Sequence, residues 1–264
     1  MGFSYSRIKS ILTYMIKKSN LIVTFLIIVA LIGAVILYKT KQPFSDIPGY
    51  TQKPTPSTIS GTSSPKPSPT TTNSATFSLK VPFTPQAPTG NWDQLHNEAC
   101  EEASAIMAAA YFSGDTRTKI PATEVEAQIT ALTNWMQTHF GYSLDTTTAE
   151  TAEMIRLFYN LQATVVSNYT EKDIKDALNA NKVVILPVNG RLIGNPYYKQ
   201  PGPIYHMLVV RGYTATQLIT NDPGTKNGEN YKYSFATLKN APADWNHTTN
   251  TIDENKSLMI VVSK

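Results

Sequence analysis

The chain of 264 residues contains one cysteine, Cys100, which lies in the stretch LHNEACEEASAIM just ahead of a helical run. A thiol becomes a good nucleophile only when it ionises, and a helix N-terminus lowers its pKa through unpaired N–H groups and a positive dipole end. Glu101 and Glu102 suit a helix start, but their charges oppose thiolate formation unless they point away. The pattern predicts a nucleophile at Cys100, with a small buried residue as the alternative.

Thiolate chemistry also needs a base within hydrogen-bond reach and a group that orients the base. His206 is the candidate base, because GPIYHMLVVRGY places it at the entry to an apolar strand. Asp222 in LITNDPGT follows a second strand, and an antiparallel pair joined by GYTATQ would bring it beside His206. A plain turn-forming role is the alternative for Asp222.

Two further assignments complete this set of residues. Gln86 in VPFTPQAP is the candidate that joins the Cys100 backbone N–H as an oxyanion hole. The loop GRLIGNPYYKQPGP, which precedes His206, is predicted to wall a substrate cleft, with a plain surface loop as the alternative. We expect structural roles for the other histidines, His96, His139 and His247, with a solvated side chain at His96.

The elements that must position these residues follow an α+β order. Helical periodicity covers about 97–112, and amphipathic patterns cover 122–141, 147–161 and 170–182, the last opening with Thr170 and Asp173 in a capping-box pattern. After Lys182, short apolar runs predict strands in VVILPVNG, HMLVVRGY, QLITNDP, YKYSF and SLMIVVS. We expect an N-terminal helical part packed on a mostly antiparallel β-sheet.

Three blocks, VPFTPQAPTGNWDQLHNEACEEASAIM, GPIYHMLVVRGY and ITNDPGT, resemble the papain-like cysteine peptidases of cysteine-peptidase family 39, specifically the stand-alone C39-like domains. The resemblance covers about residues 78–264. It implies a papain-like fold in which Cys100 is the nucleophile, His206 the general base and acid, Asp222 the orienting residue and Gln86 the oxyanion donor. The Gly-Pro pair that is frequent after the cysteine in this family is replaced here by Glu101 and Glu102.

The N-terminal part has a different character. Residues 1–77 carry a net charge of +7 and residues 78–264 a net charge of −3. Residues 21–38 contain no charge and are long enough to cross a bilayer, and the four cations before them favour a cytoplasmic N-terminus. Residues 39–76 are rich in Pro, Ser and Thr, which predicts a disordered stalk. We therefore expect a cytoplasmic segment at 1–20, a transmembrane helix at 21–38, a linker at 39–76 and one extracytoplasmic domain at 77–264. A cleaved signal peptide is the alternative for the apolar stretch.

The sequence also narrows the classes of function. The weakly acidic domain does not favour nucleic-acid binding, and the scattered histidines predict no metal site and no cofactor. A membrane-tethered cysteine peptidase acting on peptide or protein substrates is the leading hypothesis. The alternatives are a non-catalytic binding module on a papain-like scaffold and a thiol acyltransferase or transpeptidase.

Overall fold

The computed structural model describes residues 76–264. The predicted cytoplasmic segment, membrane helix and nearly all of the predicted linker lie outside the described residues. Within residues 76–264, no helix is both long and apolar enough to span a bilayer.

The described residues form short and medium helices around one main sheet. The helices are α1 (Gln94–Asn97), α2 (Cys100–Ser113), α3 (Ala122–His139), α4 (Thr148–Tyr159), α5 (Glu171–Asn179) and α6 (Phe235–Lys239). The strands are β1 (Phe77–Ser78), β2 (Gln162–Ser167), β3 (Val183–Val188), β4 (His206–Tyr213), β5 (Gln217–Asn221), β6 (Tyr231–Ser234), β7 (Trp245–Asn246), β8 (Thr251–Ile252) and β9 (Leu258–Ser263).

The main sheet has the strand order β2-β9-β3-β4-β5-β6, with β1 paired to β4, and β7 and β8 form a separate ribbon. All of these strand pairs are antiparallel. Strand β3 is buried along its whole length, as expected for a central strand covered on both faces. The predicted α+β class with an antiparallel sheet is confirmed.

Helix α2 is the element that the rest of the domain surrounds. Its residues Cys100 to Ala109 are all buried, and it packs against β4. Four alanines in this stretch present small side chains, which lets the helix approach the sheet closely. Gly114 ends the helix in the left-handed conformation at φ 84°, where a residue without a Cβ is favoured.

The sequence predicted one helix from about residue 97, but the structure separates α1 from α2. Asp93 caps α1 by accepting a hydrogen bond from the backbone N–H of His96, and α1 ends at Glu98, which leaves helical geometry. Helix α2 then begins at Cys100 without a side-chain cap. The break places the sulfur at the first position of the long helix.

The other predicted helices lie close to their expected bounds. Capping boxes open α4, at Thr147 and Glu150, and α5, at Thr170 and Asp173, so the predicted box at Thr170 is confirmed. The sequence did not predict β2, which runs between α4 and α5 and pairs with β9 at the sheet edge. The helical part is therefore interrupted by one strand.

An extended N-terminal segment, residues 77–86, crosses the sheet before the first helix. Its β1 pairs with the end of β4, where a Cβ on Gly212 would lie 2.3 Å from the carbonyl oxygen of Phe77. Farther along, Asn221 donates from Nδ2 to the carbonyl of Val81 at 3.0 Å, and the Gln86 N–H donates to the carbonyl of Pro223 at 2.9 Å. The segment thus contacts both β4 and the end of β5.

Candidate active site

Cys100 lies at the N-terminal end of α2, and only 4% of the residue is exposed. Its thiol donates to Glu101 Oε2 at 2.9 Å, and Sγ accepts a hydrogen bond from the backbone N–H of Met207 at 3.3 Å. Burial and the adjacent Glu101 carboxylate raise the pKa of the Cys100 thiol, and the Met207 N–H only partly offsets them. The thiol is therefore neutral when Glu101 is ionised.

His206 and Asp222 are joined by a hydrogen bond of 2.8 Å between Nε2 and Oδ1. His206 is the first residue of β4, and Asp222 follows the last residue of β5. The two strands are antiparallel neighbours in which Val209 pairs with Asn221, so the start of β4 and the end of β5 lie at the same end of the sheet. The predicted strand pairing and turn are confirmed, and both side chains are buried.

The Asp222 carboxylate accepts several more hydrogen bonds. Tyr233 OH donates to Oδ2 at 2.6 Å, Tyr198 OH lies 2.7 Å from Oδ2, and Asn195 Nδ2 donates at 3.0 Å. The backbone N–H of Gly224 donates to Oδ1 at 3.0 Å. Burial alone would raise the pKa of Asp222, but His206 and the two tyrosine hydroxyls outweigh it and lower the pKa. Asp222 is thus an ionised acceptor with a fixed orientation.

The structure brings Cys100 close to the His206–Asp222 pair, because the N–H that contacts Sγ belongs to the residue after His206. No hydrogen bond joins the sulfur directly to the His206 ring among the described residues. Since Asp222 occupies Nε2, Nδ1 is the ring nitrogen that remains to exchange a proton with a thiol. The catalytic roles of the three residues stay predictions.

Gln86 is buried beside the chain that leads into α2. Its Nε2 donates to the carbonyls of His96, at 2.8 Å, and Asn97, at 3.0 Å, while Oε1 is buried without a hydrogen-bond partner. Both amide hydrogens are therefore engaged in this conformation. The oxyanion role of Gln86 stays a prediction, and it requires the amide to release one of these carbonyls.

Acidic side chains lie unusually deep around Cys100. Glu101 and Glu102 are each 2% exposed, although charges in a first helical turn usually face solvent. Burial raises the pKa of Glu101 to about 8, and it raises the pKa of Glu102 well above the ordinary range. Asp145 lies nearby, where burial and the Glu98 carboxyl raise its pKa to about 7. The sequence reasoning did not find this cluster.

The loop at 190–203 contributes to the site through one of its two adjacent tyrosines. Tyr198 turns inward, bonds Asp222 and packs edge-on against the His206 ring with centroids 5.4 Å apart. Tyr197 instead is 54% exposed. The structure therefore places this loop against the histidine, while its predicted role as a wall for substrate stays a prediction.

The other histidines contact carboxylates. His96 is buried, contrary to the solvated side chain that we expected, because Nδ1 bonds Asp93 at 2.7 Å and Nε2 bonds Glu126 at 2.8 Å. His139 and His247 are more exposed and contact glutamates. Within residues 76–264, no group of three or more His, Cys, Asp or Glu side chains is arranged to hold a metal ion.

Comparison with known proteins gives one family. The model of the Peptidase_C39 like family matches residues 78–252, which is more than half of the chain. A solved structure described as "putative C39-like peptidase from Bacillus anthracis" is similar over 72% of this chain and 98% of that chain, with a TM-score of 0.47 and 15% sequence identity. No curated protein is similar enough to count as a match.

Proposed function

Because the chain belongs to the Peptidase_C39 like family, we propose that it is a cysteine peptidase that cleaves peptide bonds with Cys100, His206 and Asp222. The observation that supports this proposal best is the arrangement at the start of β4. His206 Nε2 bonds Asp222 at 2.8 Å, and the next residue donates its N–H to the Cys100 sulfur at 3.3 Å. The proposed nucleophile, base and orienting carboxylate thus lie near the start of β4 and the end of β5, as this chemistry requires.

The proposed reaction starts with transfer of the Cys100 thiol proton to Nδ1 of His206. The sulfur then attacks the carbonyl carbon of the substrate, and the electron pair of the C=O bond moves to oxygen. His206 gives its proton to the leaving amine, which leaves an acyl-enzyme. A water molecule, deprotonated by His206, attacks the thioester and releases the acid and the free thiol.

Asp222 supports these steps as an orienting residue. It fixes the imidazole ring through Nε2 and stabilises the imidazolium that forms when Nδ1 is protonated. Its other donors keep it ionised within the protein, so its charge is available for that purpose. Gln86 and the Cys100 backbone N–H are the proposed oxyanion donors.

The proposal is tested with the purified full-length protein and a library of peptide substrates. Cys100→Ala is expected to abolish cleavage, and His206→Ala is expected to lower kcat/KM by about 10²–10⁴-fold. His139→Ala is the matched control, because this histidine is exposed and bonds Glu153 rather than a residue of the site. This variant is expected to keep full activity. Cleavage that survives in Cys100→Ala would refute the proposal.

A non-catalytic binding module is the second candidate, and one observation favours it. The Cys100 thiol is buried and its pKa is raised, which disfavours the thiolate. In that case the protein would bind peptides of the library without cleaving them, and Cys100→Ala would bind equally well.

We propose further that residues 21–38 tether the domain to a membrane with the N-terminus in the cytoplasm. The support is the uncharged stretch of eighteen residues and the cations that precede it. Full-length protein is expected to stay with membranes after alkaline extraction, and a chain that lacks residues 1–38 is expected to be released. Release of the full-length protein would contradict the tether.

A further inference from the structure

The Glu101 carboxyl is held between the nucleophile and the loop before α4. Its Oε2 lies 2.9 Å from Cys100 Sγ, and its Oε1 accepts a hydrogen bond from the backbone N–H of Thr146 at 3.1 Å. The side chain is buried, so water does not screen its charge. A carboxyl fixed through one oxygen must present the other to the sulfur.

We propose that Glu101 is a further titrating group of this site, which stabilises the Cys100 thiolate when protonated and suppresses it when ionised. The inference rests on the proposed role of Cys100 as a nucleophile. It adds to that role a side chain that bonds the sulfur directly.

The two states differ by one proton from solvent. In the ionised state, the thiol S–H donates to Oε2 of the Glu101 carboxylate, and the His206 ring is neutral. In the protonated state, Oε2 carries the added proton and donates it to the sulfur, while the thiol proton has moved to His206 Nδ1. The net charge of the three groups changes from −1 to 0. The thiolate and imidazolium then attract each other without an opposing carboxylate beside them.

The groups around Glu101 determine the pH at which it loses its proton. Burial is the largest cause that raises its pKa, to about 8, and the charge of Asp145 acts in the same direction, while the bonds from Cys100 and Thr146 lower it. The titratable groups that face Glu101 are Cys100 and Glu102 on its own helix, Asp145 on the loop before α4, and Tyr205 ahead of β4. None of them is a cation, so the carboxyl keeps its proton at neutral pH.

The test is the rate at which iodoacetamide alkylates the full-length protein between pH 6 and 10. The chain has a single cysteine, so alkylation at sulfur reports Cys100 alone. We expect the wild-type rate to fall about tenfold between pH 7 and pH 9, as the neutral fraction of a group with this pKa does. In Glu101→Gln, which has the same shape and cannot ionise, we expect no such fall.

Glu102→Gln is the matched control on the same helix turn. Burial and the charge of Glu101 raise the pKa of Glu102, but its carboxyl is not the one that bonds the sulfur, so this substitution is expected to leave the fall near pH 8. A fall that persists in Glu101→Gln would overturn the inference. A wild-type rate that only rises with pH, as for an ordinary thiol, would overturn it without any variant.

These outcomes are separate from the test of peptide cleavage. If the alkylation rate falls with pH but no peptide is cleaved, the proposed link between Glu101 and Cys100 stands and the peptidase proposal is refuted. If the protein cleaves peptides through Cys100 but wild type and Glu101→Gln have the same alkylation profile, the peptidase proposal stands and the proposed role of Glu101 is refuted.

Discussion

The hydroxyl of Tyr233 tests how Asp222 is held, because Tyr233→Phe removes one donor to Asp222 and the acceptor of a 2.8 Å bond from Asn195 Nδ2, with little loss of volume. Tyr233 OH donates to Oδ2 at 2.6 Å inside the protein. A hydrogen bond to a charged group contributes about 1.5–3 kcal/mol. Since Asp222 keeps Tyr198, Asn195, Gly224 and His206 as partners, we expect a loss of about 1.5–2 kcal/mol in the free energy of unfolding at pH 7. The same loss appears as a rise in the folded-state pKa of Asp222.

The pH dependence separates this cause from simple packing. The folded-state pKa of Asp222 is lowered, so its bonds stabilise the protein above the unfolded-state pKa, about 3.9, and this contribution is lost as the pH falls through the folded-state pKa. Tyr233→Phe raises the folded-state pKa towards the unfolded one. The difference between wild type and variant should therefore be full at pH 7 and shrink below about pH 4.

Urea unfolding followed by tryptophan fluorescence at pH 7 and pH 3 measures both free energies. Tyr231→Phe is the matched control, because this tyrosine lies on the same strand and its hydroxyl is not among the donors to Asp222. It is expected to change stability by less than about 0.5 kcal/mol. An equal deficit for Tyr233→Phe at both pH values, or a deficit no larger than that of the control, would refute the reasoning.

Three further outcomes follow from the structure. His96 bonds two carboxylates, which outweigh burial and raise its pKa, so raising the pH through that pKa should destabilise wild type in urea unfolding but not His96→Gln. Ile185→Ala, in the fully buried centre of β3, should cost about 2–5 kcal/mol in the same assay. A Cβ on Gly224 would lie 2.9 Å from His206 Cε1, so Gly224→Ala should displace the ring and lower kcat/KM by about 10²-fold in the peptide assay.

The parts of the site that sequence predicted are those that local pattern determines. A helix with small apolar residues predicted the setting of Cys100, and two apolar runs joined by a short turn predicted that His206 and Asp222 would meet. Each of these residues lies at or directly next to the end of a helix or strand. Element ends can be read from a sequence, because Gly, Pro and Asn mark them.

The parts that sequence did not predict depend on contacts between distant segments. Tyr198 and Asn195 reach Asp222 from an irregular loop, which has no periodicity to indicate which side chains turn inward. Tyr233 does so from a neighbouring strand. Glu101 was expected to weaken the thiolate unless it pointed away, and its Oε1 is bonded by the Thr146 N–H, which is 45 residues distant. The adjacent tyrosines in the loop were the one visible signal for this network.

The extended segment at 77–86 determines which strands first bear a force applied to the N-terminal part of the chain. Load applied to the chain ahead of Phe77 reaches the C-terminal end of β4 through β1, and it reaches the turn after β5 through the hydrogen bond from the Gln86 N–H to the Pro223 carbonyl. Tension on this side would pull along the two strands that hold the base and its partner. A molecule stretched from its N-terminus would therefore carry tension to these two strands, and with it to the alignment of the two side chains.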